Sequence, residues 1–393
     1  MVKHIGGYNK IMDNLKSLFL LDPEIIYLNH GSFGATPKEV FSVYQDWQRE
    51  LEKQPVEFLS RRYRKLMADA REKLGTYLGT NQDNLVFTTN VTESINIVAR
   101  SLPLGPGDEV LGTNHEYGAI ERIWHFLAKE RGFRYVSQNI PFSYTTNDEF
   151  IEHFWKGVSK NTKAISISHI TSPTSLTFPI KEIINKAREN GIISIIDGAH
   201  APGQVKVDLE ELGPDFYGGN LHKWMCAPKG AGFLFANPAI QERAKPLIVS
   251  WGYEAEIPGK SKFIDEHEWT GTRDISSFLA VPAAIEFFER HQWEDVQRKC
   301  QALVKQAREE IAVLFGDTPK GKTGHHLQMA SIKLPASINN EKLQVNLYEQ
   351  YRIEIPVFTW SDCNIIRVSI QGYNTQEEVD KLISALGYLV SRN

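Results

Sequence analysis

The run Ile192-Ile-Ser-Ile-Ile196, closed by Asp197 and followed by Gly198-Ala-His200, limits the fold more than any other stretch of this chain. A strand apolar at successive positions has neither face in water, the condition found inside a parallel sheet covered by helices. The segments before it repeat that unit. Leu85-Val-Phe-Thr-Thr89, Glu109-Val-Leu111, Phe133-Arg-Tyr-Val-Ser137 and Lys163-Ala-Ile-Ser-Ile-Ser168 read as strands, interleaved with helical patterns over 92–102, 119–131 and 180–190. Such alternation predicts an α/β fold with a mainly parallel sheet between two helical layers. After residue 275 the texture changes. Helices are predicted over 276–290 and 292–315, then strands at 329–334 and near Ile353 and Ile365, with a helix over 340–351 and another from Thr375: a small α+β unit.

In open α/β sheets ligands gather at the carboxyl ends of the strands, which is where Asp197 falls. Lys223 follows 26 residues later (223 − 197), between His222 and Trp224 in the charge-poor stretch Tyr217–Gly230. Lysine is almost never buried without a task, and a desolvated amine becomes a nucleophile able to form a Schiff base. A lysine for the aldehyde and a carboxylate for the pyridinium nitrogen are what pyridoxal phosphate requires. Thr88-Thr-Asn-Val-Thr-Glu-Ser94 lies at a strand-to-helix junction, where free N–H groups attract a phosphate. The same pattern also serves as an ordinary helix cap. In this segment Thr92 offers a hydroxyl, and Asn90 and Val91 offer backbone donors. Arg367 is embedded in the apolar run Asn364-Ile-Ile-Arg-Val-Ser, and a buried guanidinium demands an anion.

The net charge of −4 gives no basic excess for nucleic acid or an anionic membrane. No apolar run reaches membrane-spanning length, and the first residues lack a signal-peptide core, so a soluble cytoplasmic protein is expected. Three cysteines are too few and too scattered for a disulfide framework, and His325-His326, without a second ligand pair, read as loop residues, so no metal is expected.

Four motifs taken together, Tyr27-Leu-Asn-His-Gly-Ser-Phe-Gly34, Asp197-Gly-Ala-His-Ala-Pro-Gly203, His222-Lys-Trp224 and Glu268-Trp-Thr-Gly-Thr-Arg-Asp274, carry a resemblance. The chain resembles the class V aminotransferase group of fold-type I pyridoxal-phosphate enzymes, nearest to the isopenicillin N epimerase-like proteins. The resemblance implies a large domain over 31–275 with a seven-stranded-type, mainly parallel sheet. It also implies a small C-terminal α+β domain over 276–393, packed with the segment 1–30. It places Lys223 on the cofactor, Asp197 at the ring nitrogen and His200 at the ring 3-oxygen. Tyr117, preferred to His115, would cover the ring, and Asn90, Val91, Thr92, Asn220 and His222 would surround the phosphate. Thr272 would reach the phosphate of a partner subunit, which implies a homodimer with shared sites. Arg367, with Asn29 and His30, would hold the carboxylate of an amino-acid-like substrate.

The implied activity is chemistry at Cα of an amino acid or small peptide, with epimerisation first and Tyr117 or His115 as the second proton donor. A carbon–sulfur lyase and an aminotransferase are the enzyme alternatives; a non-catalytic effector-binding module is the alternative of another class. A persulfide-forming desulfurase is disfavoured, because Cys363 sits only four positions before Arg367 (367 − 363).

Overall fold

The computed structural model of the chain describes residues 15–142, 144, 146–316 and 327–390. His325 and His326, read above as loop residues, lie outside these residues, as do the segment around Gly321 and the stretch before Leu15. A short strand β1 (Ile26–Tyr27) leads into a seven-stranded sheet built from β2 (Leu85–Thr88), β3 (Glu109–Thr113), β4 (Arg134–Gln138), β5 (Thr162–Ser168), β6 (Ile193–Gly198), β7 (Phe216–Asn220) and β8 (Gly232–Ala236). Their order is β2-β8-β7-β6-β5-β3-β4, with β8 antiparallel to both neighbours and the remaining pairs parallel. Ile195 and Ile196 of β6 are both fully buried, on opposite faces of the sheet, as the apolar run requires. Only β4, at the edge, mixes exposed and half-buried positions.

The helices cover both faces for reasons legible locally. The helix Val91–Ser101 starts at Asn90, whose Oδ1 accepts from the Glu93 N–H at 3.0 Å, while Glu93 accepts from the Thr89 N–H at 2.6 Å. This is a reciprocal cap one residue displaced from the usual box. The helix expected over 276–290 is two: Ser276–Leu279 and Val281–Arg290. Pro282 causes the break, since it has no N–H to give the preceding turn and restarts the helix in its first turn. Asn29–Gly34 contains the one-turn helix His30–Phe33, closed by Gly34 at φ +68°.

The C-terminal unit is an antiparallel sheet of β9 (Met329–Leu334), β11 (Val357–Trp360) and β12 (Cys363–Ser369) in the order β11-β12-β9; the helix Trp293–Leu314 packs on β9 and β12, Asn340–Tyr351 packs on β11, and Gln376–Val390 packs on both helices. β10 (Ile353–Glu354) instead pairs in parallel with β1. The chain continues from β1 past Leu28, whose carbonyl accepts from the Ser369 N–H at 2.9 Å. A single apolar cluster runs from the central sheet through Trp224 and Met225 to Met329, Ile366 and Val368. Among the described residues no helix is long and apolar enough to cross a membrane.

Candidate active site

The carboxyl ends of β5, β6 and β7 open into a cavity of about 240 Å³. Asn90, Val91 and Thr92 at the helix start line it, together with Asn220, His222, Tyr117, Asp197, His200 and Lys223. Asp197 ends β6 in register with Ser168 and Gly218 of its neighbours, is 4 % exposed, and makes no ion pair among the described residues. Its Oδ1 accepts from the Ala199 N–H at 2.9 Å. Burial pushes this carboxyl up, and the Ala199 N–H and the Lys223 charge partly restrain the rise.

Lys223 Nζ lies 3.1 Å from His200 Nε2. His200 Nδ1 accepts from the Trp224 indole N–H at 3.1 Å, so the ring proton of neutral His200 is on Nε2 and faces the amine. An ammonium there would set donor against donor; a free amine accepts. Desolvation and the Arg367 charge act the same way, lowering Lys223 to about 8 against the pull of Asp197. His200 itself is held well below its ordinary value by burial and by the Lys223 and Arg367 charges.

Arg367, on β12, is buried beside the cavity and finds no carboxylate among the described residues. Nη1 donates to the Ser172 carbonyl at 2.7 Å and to Ser172 Oγ at 3.0 Å, Nη2 donates to Ser32 Oγ at 2.9 Å, and Nε is buried without a partner. Ser32 in turn donates to Asn29 Oδ1 at 2.5 Å, and Asn29 Nδ2 donates to Glu354 at 3.1 Å.

Asn29, His30 and His115 stand outside the cavity lining. Asn29 reaches Arg367 only through Ser32. His30 lies beneath the lysine loop, bonding the Lys223 carbonyl through Nε2 at 3.0 Å and the Tyr373 hydroxyl through Nδ1 at 2.9 Å. Both ring nitrogens are thus used, and burial lowers its pKa to about 3. His115 is buried behind the wall, with Nδ1 on Thr174 Oγ1 at 2.7 Å and Nε2 on the Ile140 carbonyl at 2.9 Å, so it has no nitrogen free to act in the cavity. The Val91 N–H, expected to be free, donates to Asn220 Oδ1 at 3.0 Å. His222 donates from Nδ1 to the Ala231 carbonyl at 2.9 Å, leaving Nε2 unprotonated in the neutral ring. Thr272 is exposed on the loop before Ser276 and is no part of its own chain's cavity wall. Cys363 opens the strand that carries Arg367, as its spacing suggests, and is paired opposite Trp360. Ser32, Ser172 and Trp224 are contacts that the sequence reading missed; Ser32 and Trp224 lay inside the quoted motifs, but nothing in their spacing tells what they touch.

An α/β sheet with a buried aspartate at one strand end, a lysine amine near it and a helix start lining the same cavity is the frame of a fold-type I pyridoxal-phosphate enzyme. The residues fit the cofactor: Asp197 lacks a cation, Lys223 favours the free amine, and the wall at Thr92 and His222 is polar. The Aminotransferase class-V family profile matches residues 26–382, and the chain belongs to that family of pyridoxal-phosphate-dependent enzymes. It is 33 % identical to isopenicillin N epimerase of Amycolatopsis lactamdurans, over 95 % of this chain and 97 % of that one. It is 28 % identical to a probable chloroplastic L-cysteine desulfhydrase of Arabidopsis thaliana, over 94 % and 84 %. Among solved structures, a cysteine desulfurase of Thermococcus onnurineus superposes with a TM-score of 0.83 at 20 % identity, over 97 % and 98 % of the two chains.

Proposed function

We propose that this enzyme epimerises an amino acid or a small peptide at Cα. The observation that carries the reading is the likeness to isopenicillin N epimerase along nearly the whole of both chains, joined to a cavity with a lysine amine and a tyrosine in its lining. Bound pyridoxal phosphate supplies an electron sink that weakens a bond at Cα. Arg367 exchanges its serine contacts for the substrate carboxylate, and this sets which Cα bond faces the sink. Lys223 Nζ takes the α-proton, with the His200 Nε2–H holding the amine in place. Tyr117 Oη returns a proton to the other face; the residue is 51 % exposed at the cavity wall, within reach of solvent for reprotonation.

A carbon–sulfur lyase is the second reading, supported by the desulfhydrase relative and needing only Lys223 as acid and base. Incubation with amino acids and thiol-containing peptides in heavy water separates the two. Epimerisation gives α-deuteration with inversion and no sulfide; sulfide with pyruvate overturns it in favour of the lyase, and keto acid in favour of transamination.

Arg367→Ala should raise KM by on the order of a hundredfold or more, since a charge-assisted pair of this kind contributes roughly 2–5 kcal/mol. Cofactor loading, titrated separately, should hardly change. An unchanged KM would remove Arg367 from the substrate site.

The proposal includes a homodimer in which Thr272, exposed on its own chain, reaches the partner's phosphate. Mixing Thr272→Ala with Lys223→Ala protein should then restore cofactor affinity in half of the sites of the hybrid. No recovery after verified subunit exchange would confine Thr272 to its own chain.

A further inference from the structure

Glu116 is a buried acid that the proposed mechanism leaves unused. It is 4 % exposed, just past the carboxyl end of β3. Its carboxyl oxygens lie 2.6 Å from Thr113 Oγ1 and 2.6 Å from Ser168 Oγ. Ser168 ends β5 and is paired in register with Asp197 at the end of β6. Because β3, β5 and β6 are neighbours, Glu116, Ser168 and Asp197 form a polar row along three strand ends, with Ser168 and Asp197 in the cavity lining.

The groups that face Glu116 are neutral or acidic. Thr113 comes from β3, Ser168 from β5, Asp197 from β6 and Tyr135 from β4, whose buried hydroxyl has no hydrogen-bond partner and is pushed up by burial and by Glu116 and Glu121. Among the described residues no arginine or lysine pairs with Glu116. Two buried carboxyls on one row do not both ionise without a cation to share. The charge settles where a cation is near: Asp197 has the Ala199 N–H and the Lys223 charge, whereas Glu116 has two hydroxyls and the Ser168 backbone N–H but no cation.

Glu116 also closes the turn that carries Tyr117. Asn114 accepts from the Ile140 N–H at 2.8 Å, His115 is bonded at both nitrogens, and the Trp360 indole N–H donates to the Asn114 carbonyl at 3.0 Å. Tyr117 is the one side chain of this turn in the cavity lining.

We propose that Glu116 is a positioning residue kept as the neutral acid, so that the row carries a single negative charge, on Asp197, while its two hydroxyl contacts fix the turn presenting Tyr117. The acid proton serves one of the two contacts and a hydroxyl proton the other. Burial pushes the Glu116 carboxyl up to about 8, with the two hydroxyls and the Ser168 backbone N–H opposing the rise and Asp197 adding to it. The acid form therefore holds at neutral pH and is lost as pH rises through that value. The proposal rests on the reading of Asp197 as the partner of the ring nitrogen.

Infrared difference spectra of protein freed of cofactor test the protonation directly. Wild type should show at neutral pH the carbonyl band of a protonated carboxyl that Glu116→Gln lacks, and this component should vanish as pH rises through about 8. In loaded protein, Glu116→Gln should leave the pH midpoint of the cofactor's visible band in place. If Glu116 were ionised, losing its charge would lower that midpoint by about one unit. Visible circular dichroism, which reads the fixed surroundings of the cofactor, should persist in Glu116→Gln and weaken in Glu116→Ala. A missing carboxyl band, a lowered midpoint, or equal dichroism in the two variants would overturn the proposal. Should Glu116→Gln not fold, Ser168→Ala serves instead: it removes one contact and should shift the frequency of the same band, and an unshifted band would count against the proposal. The infrared measurement uses protein without cofactor, so its failure is distinguishable from failure of the cofactor assignment.

Discussion

Lys223→Ala protein should show no visible absorption from bound, lysine-linked cofactor, and turnover should fall by more than about 10⁴-fold. That is the upper end of what one positioned base supplies, and here the anchor is lost with it. The fold should survive, because the contacts that hold this loop are made by its backbone. His30 bonds the Lys223 carbonyl, and the Cys226 N–H donates to the same oxygen at 3.0 Å. In wild type the amine is lowered to about 8, so the unprotonated fraction increases as pH rises toward that value. Loading of cofactor-free protein should therefore accelerate between about pH 6 and 8 and level off above, followed by stopped-flow absorbance. A rate flat across that range would mean that the amine is not the titrating nucleophile. Wild-type turnover in Lys223→Ala on an identified substrate would remove the lysine from the chemistry altogether.

Asp197→Asn should keep both fold and cofactor, yet slow α-proton exchange by on the order of 10²–10³-fold or more. Asparagine retains the Oδ1 that accepts the Ala199 N–H, so the turn after β6 keeps its bond. What it lacks is the negative charge that holds a ring nitrogen protonated, and with it the electron sink. In wild type the same charge is sensitive to acid. Burial raises the Asp197 carboxyl, so the charge is present above its raised pKa and lost as pH falls through it. Exchange in wild type should thus decline on the acid side, with a smaller decline in Asp197→Asn. Equal exchange rates with cofactor bound would contradict the role given to Asp197.

The parts of this site legible in the sequence are those whose chemistry conflicts with their surroundings. Asp197 closes an apolar run, Lys223 sits in a charge-poor stretch, and Arg367 interrupts a strand; each conflict shows without a structure. β7 did not show, although it carries Asn220 and leads to the lysine. Its sequence, Phe216-Tyr-Gly-Gly-Asn220, has two glycines where strands rarely tolerate them. They are needed because a Cβ at Gly219 would lie 2.2 Å from the Phe233 ring, and one at Gly218 would lie 3.0 Å from Ser94 in the packed helix. Close approaches of this kind leave no periodicity to read. The same holds for the buried polar contacts. Ser32 meets Arg367 across 335 positions of chain, and His30, next to it, turns away from the cavity to hold the lysine loop from beneath. Tyr117 and His115 are two residues apart and equally aromatic; the fold separates them by burying His115 against Trp360, with ring centres 4.5 Å apart, and leaving Tyr117 in the cavity wall.

We propose that this chain works through pyridoxal phosphate carried on Lys223. The most direct measurement reduces the loaded protein with borohydride, digests it and maps the modified peptide by mass spectrometry. One pyridoxyl group per chain is expected, on Lys223 in the peptide containing His222 and Trp224, and none in Lys223→Ala. A pyridoxyl group on another lysine, or an active protein with no modified lysine, would contradict it.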